Sequence, residues 1–155
     1  MTLESRFAGT WYPGTRREIQ AMADAWEEDF SRDKAALADY PNILILPHAG
    51  WVYSGSIAWQ AVRRIRGGKF TRVVVLAPSH RAWIENRLVA PEGDAFTTPL
   101  GEIKVDRDWL DRLALLPPVA RSDKGHLAEH AAQIEFPLLQ LALPDGFTVA
   151  PLVMG

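Results

Sequence analysis

The chain contains three short runs of apolar residues, at positions 43–46, at positions 73–76 and within the final segment "FTVAPLVMG". Such runs have no polar face, which is typical of strands buried in the interior of a parallel sheet. Between and after them, apolar residues recur every three or four positions, which is the spacing of one face of an α-helix. The pattern therefore predicts buried strands that alternate with amphipathic helices.

Two helices are predicted in the first half of the chain. "TRREIQAMADAWEEDF" opens with a capping box, in which Thr15 is followed three residues later by Glu18. The apolar residues that follow have helical spacing and form one stripe, made of Ile19, Met22, Ala23, Trp26 and Phe30. The second segment, "SGSIAWQAVRRIRGG", places Ile57, Ala61 and Ile65 on one face and ends at two glycines, a common helix stop.

The order of the elements predicts the fold class. The strand at 43–46, the second helix and the strand at 73–76 form a βαβ unit. Further strands are expected at 87–90 and in "EIKVD", with a short helix in "DRDWLDRLALL". "DKGHLAEHAAQIEFPLLQLAL" is predicted to be one helix that Pro137 kinks or breaks. This order indicates a single α/β domain over residues 1–155, a three-layer α/β/α sandwich with a mostly parallel central sheet.

The predicted sheet is small for this architecture, because it has only three apolar strands and two or three helices to cover them. The chain also stops at the end of an apolar strand, whereas the other two apolar strands lead into distinctive residues. We therefore expect either that the sequence is part of a larger fold or that a partner chain or a homo-oligomer completes the fold.

The composition narrows the class of protein. With 155 residues, 48% of them apolar and 23% charged, the chain resembles an ordinary globular domain. A net charge of −2 leaves no basic surplus to neutralise phosphates, so we expect no binding of nucleic acid. The sequence has no cysteine, no signal-peptide pattern and no run of roughly 18 apolar residues. We therefore expect a cytoplasmic protein that does not enter membranes.

Two histidines follow the apolar strands in matched positions. His48 comes directly after a proline at the end of the first strand, and His80 comes two residues after a proline at the end of the second. Ligands of open α/β sheets gather at the carboxyl ends of parallel strands, and imidazole is a common metal ligand and general base. Either histidine alone is more simply explained as a loop cap, but the matched pair favours a shared site at one sheet edge.

The other two histidines belong to an H-x-x-E-H pattern. His126 and His130 are four residues apart and would share one face of the predicted helix. The pattern is that of inverted zinc peptidases, with Glu129 as general base. A third ligand would have to come from Glu135 or Asp145, since no histidine follows. The alternative is a solvated helix start in which His126 is simply exposed.

Aromatic and hydroxyl side chains near the strand ends are candidates for binding a substrate. Trp51 and Tyr53 could line a pocket above the sheet edge, Trp11 could fold over it, and Ser79 could present its hydroxyl there. The alternative is that the six tryptophans of the chain fill a thin core.

Five blocks, in order, carry a resemblance to a known family: "FAGTWYPG", "PHAGWVYSG", "VVVLAPSH", "TTPLGEIKVD" and "EHAAQIEFPLLQ". They are similar to the Memo-like proteins, the Memo component of the AmmeMemoRadiSam system in prokaryotes. The resemblance extends over nearly the whole chain and implies a fold related to the class III extradiol dioxygenases. Members of the family are usually much longer, so the chain resembles the N-terminal portion of the family fold.

The resemblance also implies site residues and a cofactor. The histidines of the P-H-A-G and P-S-H blocks, His48 and His80 here, are implied to bind a divalent metal, most often iron, with copper or zinc as alternatives. Glu129 and His130 are implied to lie near the same cleft, as catalytic residues or, for His130, as a third ligand. Two departures are Ala131 and Gln133, where the family usually has serine and glutamate.

Three functions remain open from the sequence. The first is a dioxygenase-like oxidoreductase that uses a non-haem metal on a small organic substrate. The second is a module without enzymatic activity that binds a peptide or protein in the same cleft. The third is the zinc peptidase of the H-x-x-E-H pattern.

Overall fold

The computed structural model of the protein describes residues 1–30 and 40–155. The strands are β1 (Thr2–Glu4), β2 (Arg72–Pro78), β3 (Leu88–Ala90), β4 (Ala95–Thr98), β5 (Gly101–Val105), β6 (Val119–Arg121) and β7 (Thr148–Met154). The helices are α1 (Arg16–Asp29), α2 (Trp51–Val62), α3 (Arg107–Leu113), α4 (Lys124–Leu127), α5 (His130–Gln133) and α6 (Phe136–Ala142), and a 3₁₀ turn at Arg63–Ile65 follows α2.

The strands form one sheet with β7 at its centre. β7 pairs in parallel with β2 along one edge, and its other edge pairs with β5 in parallel and with β3 in antiparallel orientation. The sheet extends from there to β4 and β1 beyond β5, and to β6 beyond β3. Four strand pairs are parallel (β1–β4, β2–β7, β3–β6 and β5–β7) and two are antiparallel (β3–β7 and β4–β5). The predicted α/β class and mostly parallel sheet are confirmed, while β1, β4 and β6 were not predicted.

Helix α1 begins at the predicted capping box. The backbone N–H of Glu18 donates to the Thr15 hydroxyl oxygen, and the Thr15 N–H donates to the Glu18 carboxylate. Ile19 and Ala23 of the predicted stripe are buried, and the Trp26 ring lies 5.4 Å from the ring of Trp51 on α2. The sequence of this helix therefore predicted both its start and its buried face.

The predicted buried strand at residues 43–46 is wrong. The segment is not a strand, and its side chains alternate: Leu44 and Leu46 pack against the core, while Ile43 and Ile45 are 83% and 94% exposed. An apolar run is buried on both faces only where other elements cover both faces, and within the described residues nothing covers the outer one. The neighbouring strand β2 shows the same alternation, with Val74 and Leu76 exposed.

The long helix predicted near the end of the chain is also wrong, because this region forms three short helices, α4, α5 and α6. The break between α4 and α5 lies at Ala128 and Glu129, and Glu129 has extended backbone angles. Pro137 lies in the first turn of α6, where backbone N–H groups have no acceptor within the helix. The N–H that proline lacks is therefore not needed there. The proline therefore begins a helix and does not kink one. No helix in the described part of the chain is long and apolar enough to span a membrane.

Candidate metal site

The site is built where β2 ends. The backbone N–H of Ser79 donates to the carbonyl of Met154, which continues the pairing of β2 with β7 past the last strand residue. The next residue, His80, is held by the carboxylate of Glu129. Its backbone N–H donates to Oε2 at 2.6 Å, and its ring Nδ1 lies 2.9 Å from Oε1. The end of β2 and the start of α5 are therefore joined through one carboxylate.

Glu129 brings a second histidine to the same place. It is the N-cap residue of α5, where its Oε1 accepts a hydrogen bond from the Ala131 N–H at 2.9 Å. The Nδ1 atom of His130, the first residue of α5, lies 3.3 Å from the same oxygen. One ligand atom from each of His80, Glu129 and His130 lies within 4.8 Å of the others, which makes this cluster a candidate metal site.

The electrostatics of the cluster favour an ionised Glu129 beside a neutral His130. Burial raises the pKa of Glu129, but the hydrogen bonds from Ala131 and from the backbone and ring of His80 outweigh it, so that the pKa is lowered. Burial is the largest cause of the lowered pKa of His130. The attraction of Glu129 raises this pKa, and repulsion from the neighbouring basic side chains, among them Arg81, lowers it further. A neutral imidazole has a lone pair free for a metal, which is the state that coordination requires.

His48 lies beside this cluster. Its ring centroid is 5.2 Å from that of His80 and 6.0 Å from that of His130, and the rings of His80 and His130 are 4.6 Å apart. The structure therefore brings His48 and His80 together, as the sequence predicted, although the segment before His48 is not a strand. It adds Glu129 and His130, which the family resemblance had implied near the same cleft.

The structure places the aromatic candidates in different surroundings. Trp11 stacks on His130 with ring centroids 3.9 Å apart. Phe7, a residue not predicted from the sequence to lie near the site, meets both rings edge-on at 6.1 Å. Trp51 is buried and donates its indole N–H to the Ile134 carbonyl, so the core-filling alternative is correct for this residue. Tyr53 is exposed on α2.

Ser79 has its hydroxyl bound to its own loop. The hydroxyl donates to the Ala82 carbonyl at 2.6 Å and accepts a bond from the Ala82 N–H at 3.3 Å. These bonds hold the loop that follows β2, from which His80 projects. The proposed part of Ser79 in binding a substrate stays a prediction.

His126 belongs to the core and not to the site. Its Nε2 lies 2.9 Å from the carbonyl oxygen of Val89, and its ring packs 6.2 Å from the ring of Phe96. Burial lowers the pKa of His126 to about 4, so the ring is neutral in the folded protein. The helix break before α5 separates it from His130, and no candidate metal cluster in the described residues includes it. The zinc-peptidase interpretation of H-x-x-E-H is therefore wrong.

Glu135 is a buried acid whose place the sequence pattern did not predict. Its residue is 5% exposed, and neither carboxylate oxygen has a hydrogen-bond partner among the described residues. Burial raises its pKa to about 8, so it is protonated at neutral pH. It lines the same groove as His48. The local sequence around Glu135, "QIEFPLLQ", does not indicate that this residue is buried.

Comparisons with known proteins agree with the resemblance in the sequence. The Memo-like protein family matches residues 4–155. A protein of Aquifex aeolicus (strain VF5) named "MEMO1 family protein" is 28% identical over 151 residues, which are 97% of this chain and 54% of that protein. A protein of the same name from Methanobrevibacter smithii is 31% identical over 157 residues, which are 96% of this chain and 55% of that protein.

The chain thus spans about half the length of the curated relatives it matches. The match nevertheless extends over almost all of this chain, a range that includes His48, His80 and the Glu129–His130 pair. The chain belongs to the Memo-like protein family.

Proposed function

We propose that the protein binds one divalent, non-haem metal through the imidazoles of His48, His80 and His130. The observation that carries this proposal is the position of the Glu129 carboxylate. Its Oε1 lies within 2.9 Å of Nδ1 of His80 and within 3.3 Å of Nδ1 of His130. Since the two nitrogens of an imidazole lie on different sides of the ring, the Nε2 atoms of both rings are turned away from the carboxylate.

This arrangement is typical of metal-binding histidines. A carboxylate on Nδ1 sets the tautomer and the orientation of the ring and leaves Nε2 free to coordinate. Glu129 would therefore orient two ligands and would not itself need to bind the metal. The third ring, that of His48, has its centroid 5.2 Å from that of His80 and 6.0 Å from that of His130, which supports a site between the three.

The donor set suits several metals. Imidazole binds iron, copper and zinc well, and three nitrogen ligands leave coordination positions open for water or substrate. When bound, such a metal supplies Lewis-acid or redox chemistry. We propose iron and an oxidoreductase reaction on a small organic substrate. The rings of Trp11 and Phe7 beside His130 support an organic substrate, because they offer an aromatic surface to a flat molecule.

The experiment is a metal titration of the chelated protein. Isothermal titration calorimetry with Zn²⁺, and with Fe²⁺ under anaerobic conditions, is expected to give one site per chain. His80→Ala and His130→Ala together should abolish binding, and His48→Ala should weaken it about tenfold or more. His126→Gln serves as the control, since it removes an imidazole outside the cluster and its side-chain amide nitrogen can take the place of Nε2 beside the Val89 carbonyl. Unchanged metal uptake in the His80 and His130 double variant would refute the proposal.

The peptide-binding alternative has less support in the structure. It depended on a cleft lined by Trp11, Trp51 and Tyr53. Of these three, only Trp11 contacts the histidine cluster, because Trp51 is buried in the core and Tyr53 lies exposed on α2. Binding of a peptide that persists unchanged after chelation would restore this alternative.

A further inference from the structure

Three tryptophans connect the histidine cluster to the protein surface. The first, Trp11, stacks on His130 with ring centroids 3.9 Å apart. Its backbone carbonyl accepts a hydrogen bond of 2.8 Å from the backbone N–H of Trp51. The ring of Trp51 lies 5.4 Å from the ring of Trp26, which is partly exposed on α1. We call Trp11, Trp51 and Trp26 the tryptophan path.

Gly55 allows Trp26 and Trp51 to lie close together. A Cβ at this position would lie 2.6 Å from Cη2 of Trp26 and 3.0 Å from Cβ of Trp51, so a side chain there would displace the tryptophans. The indole of Trp51 is buried and is held on its other side by the bond of 2.9 Å from its N–H to the Ile134 carbonyl. The contact between α1 and α2 therefore keeps the two rings in one arrangement.

The tryptophan path has the chemistry of a route for electrons. Besides cysteine, which this chain lacks, tryptophan and tyrosine are the side chains that lose one electron most readily. Electrons move through a protein more readily along hydrogen bonds, covalent bonds and ring contacts than across open gaps. The N–H of Trp51 is bound to a backbone carbonyl, which is too weak a base to take its proton. Trp51 can therefore lose an electron and recover it without a proton transfer.

We infer that the tryptophan path carries electrons from the protein surface to the histidine cluster. The inference rests on the proposed function, because it requires iron or copper at the cluster, and these metals exchange single electrons. Packing of a core requires neither the contact of Trp11 with a metal-binding histidine nor the exposure of Trp26 at the other end.

The oxidant is a peroxide that reaches the metal site. Hydrogen peroxide takes up two electrons and two protons there and becomes two molecules of water. Each electron leaves the indole of Trp11 for the oxidised site, after which Trp51 reduces Trp11 and Trp26 reduces Trp51. A reductant in solution, such as ascorbate, restores Trp26. One ascorbate molecule supplies the two electrons and two protons and becomes dehydroascorbate, so the reaction is balanced.

Two nearby aromatic residues do not belong to the tryptophan path, for chemical reasons. The ring of Tyr12 lies 5.7 Å from that of Trp51, but a phenol gives up its proton when it is oxidised. The Tyr12 hydroxyl lies 2.5 Å from the Ser5 hydroxyl, which is not a base. The guanidinium of Arg66 lies 5.1 Å from the ring of Trp59, and this positive charge opposes the loss of an electron from the indole. Tyr12 and Trp59 can therefore serve as controls.

The test is oxidation of the protein by hydrogen peroxide in the absence of a reductant. The protein is loaded with Fe²⁺ under anaerobic conditions and freed of excess metal, and peptide mass spectrometry then measures the oxidised products of each tryptophan. Trp83, which is 92% exposed, records attack by oxidants that diffuse in solution. The reference is the metal-free protein treated with peroxide and the iron–EDTA complex. The ratio of Trp26 products to Trp83 products should be severalfold higher in the iron-loaded protein than in this reference.

Variants interrupt the tryptophan path at a chosen residue. In Trp51→Phe the ratio of Trp26 products to Trp83 products should fall to that of the reference, because a phenyl ring is much harder to oxidise than an indole. Trp26→Phe is a milder change at the partly exposed end of the path, and in it the products should accumulate at Trp51 and Trp11. Tyr12→Phe and Trp59→Phe, which also replace buried aromatic residues, should keep the pattern of the wild type.

The outcomes separate this inference from the proposed function. An iron-loaded protein in which Trp26 is oxidised no more than in the reference would overturn the inference and leave metal binding in place. An unchanged pattern in both Trp51→Phe and Trp26→Phe would also overturn it. A protein that takes up no iron in the calorimetric titration would overturn both proposals.

Discussion

The carboxylate of Glu129 holds His80 at two points, the backbone N–H at 2.6 Å and the ring Nδ1 at 2.9 Å. The two residues are 49 positions apart, and no other side chain described in the structure ties the end of β2 to the start of α5 in this way. The first bond fixes the course of the backbone after β2, and the second fixes the orientation of the His80 ring. The geometry of the candidate metal site therefore depends on one acid.

Replacement of Glu129 by glutamine should weaken metal binding by roughly 10–100-fold, because an amide holds the Nδ1 atoms of His80 and His130 less strongly than a carboxylate does. Zn²⁺ titration by calorimetry measures the loss. Glu102→Gln is a suitable control, since Glu102 is an exposed residue of β5 and does not belong to the histidine cluster. An unchanged affinity in Glu129→Gln would mean that the carboxylate does not orient the ligands.

Replacement of Trp11 by alanine should raise the pKa of His130 towards its ordinary value of 6.5. Burial is the largest cause of the lowered pKa, and Trp11 covers the ring at a centroid distance of 3.9 Å. A two-dimensional NMR titration of the metal-free protein measures the change. Trp83→Ala, at a residue that is 92% exposed, should leave the titration of His130 as it is in the wild type.

Replacement of Glu135 by glutamine should change how stability depends on pH. The folded pKa of Glu135, about 8, lies above the ordinary value of 4.5. The folded state therefore holds its proton where the unfolded state has lost it, so this group's contribution to stability is complete below about pH 4.5 and is lost as the pH rises to about 8. As the pH rises through this window, the free energy of unfolding of Glu135→Gln should increase relative to that of the wild type by up to a few kcal/mol.

Urea unfolding of both proteins at several pH values measures this difference. Buried His126, whose pKa is lowered to about 4, contributes in the opposite direction, since its stabilisation is lost as the pH falls from 6.5 to 4. The comparison between variant and wild type cancels that contribution because both contain His126. A constant difference between pH 5 and pH 8 would show that Glu135 is not protonated in the folded protein.

Replacement of Gly55 by alanine should destabilise the protein by about 1–2 kcal/mol. An added Cβ would lie 2.6 Å from Cη2 of Trp26 and 3.0 Å from Cβ of Trp51. Such overpacking costs about 1–3 kcal/mol, which exceeds the gain of about 0.5–1 kcal/mol from removing a glycine within a helix. Thermal unfolding measures the change. In a Trp26→Leu background the same substitution should cost less, because only the contact with Cβ of Trp51 remains, and an equal loss in both backgrounds would contradict the steric explanation.

Several features were determined by local sequence. The capping box at Thr15 and Glu18 predicted the start of α1, and the apolar runs at 73–76 and near the end of the chain became the paired strands β2 and β7. The position of His80 directly after β2 placed it at the sheet edge, where the structure has it. These predictions held because caps, apolar periodicity and strand-end positions depend on residues that are neighbours in the chain.

The remaining features were decided by tertiary structure. Glu129 could break the predicted helix and set His130 apart from His126 because it bonds to His80, which is distant in sequence. Residues 43–46 have the composition of a buried strand, yet burial depends on what packs over them, and within the described residues the outer face is open. The two carboxylate oxygens of Glu135 are buried and have no hydrogen-bond partner among the described residues, which likewise depends on the segments that pack around them. Apolar character and residue order are local properties, whereas burial and hydrogen-bond partners are set by distant segments that meet only in the fold.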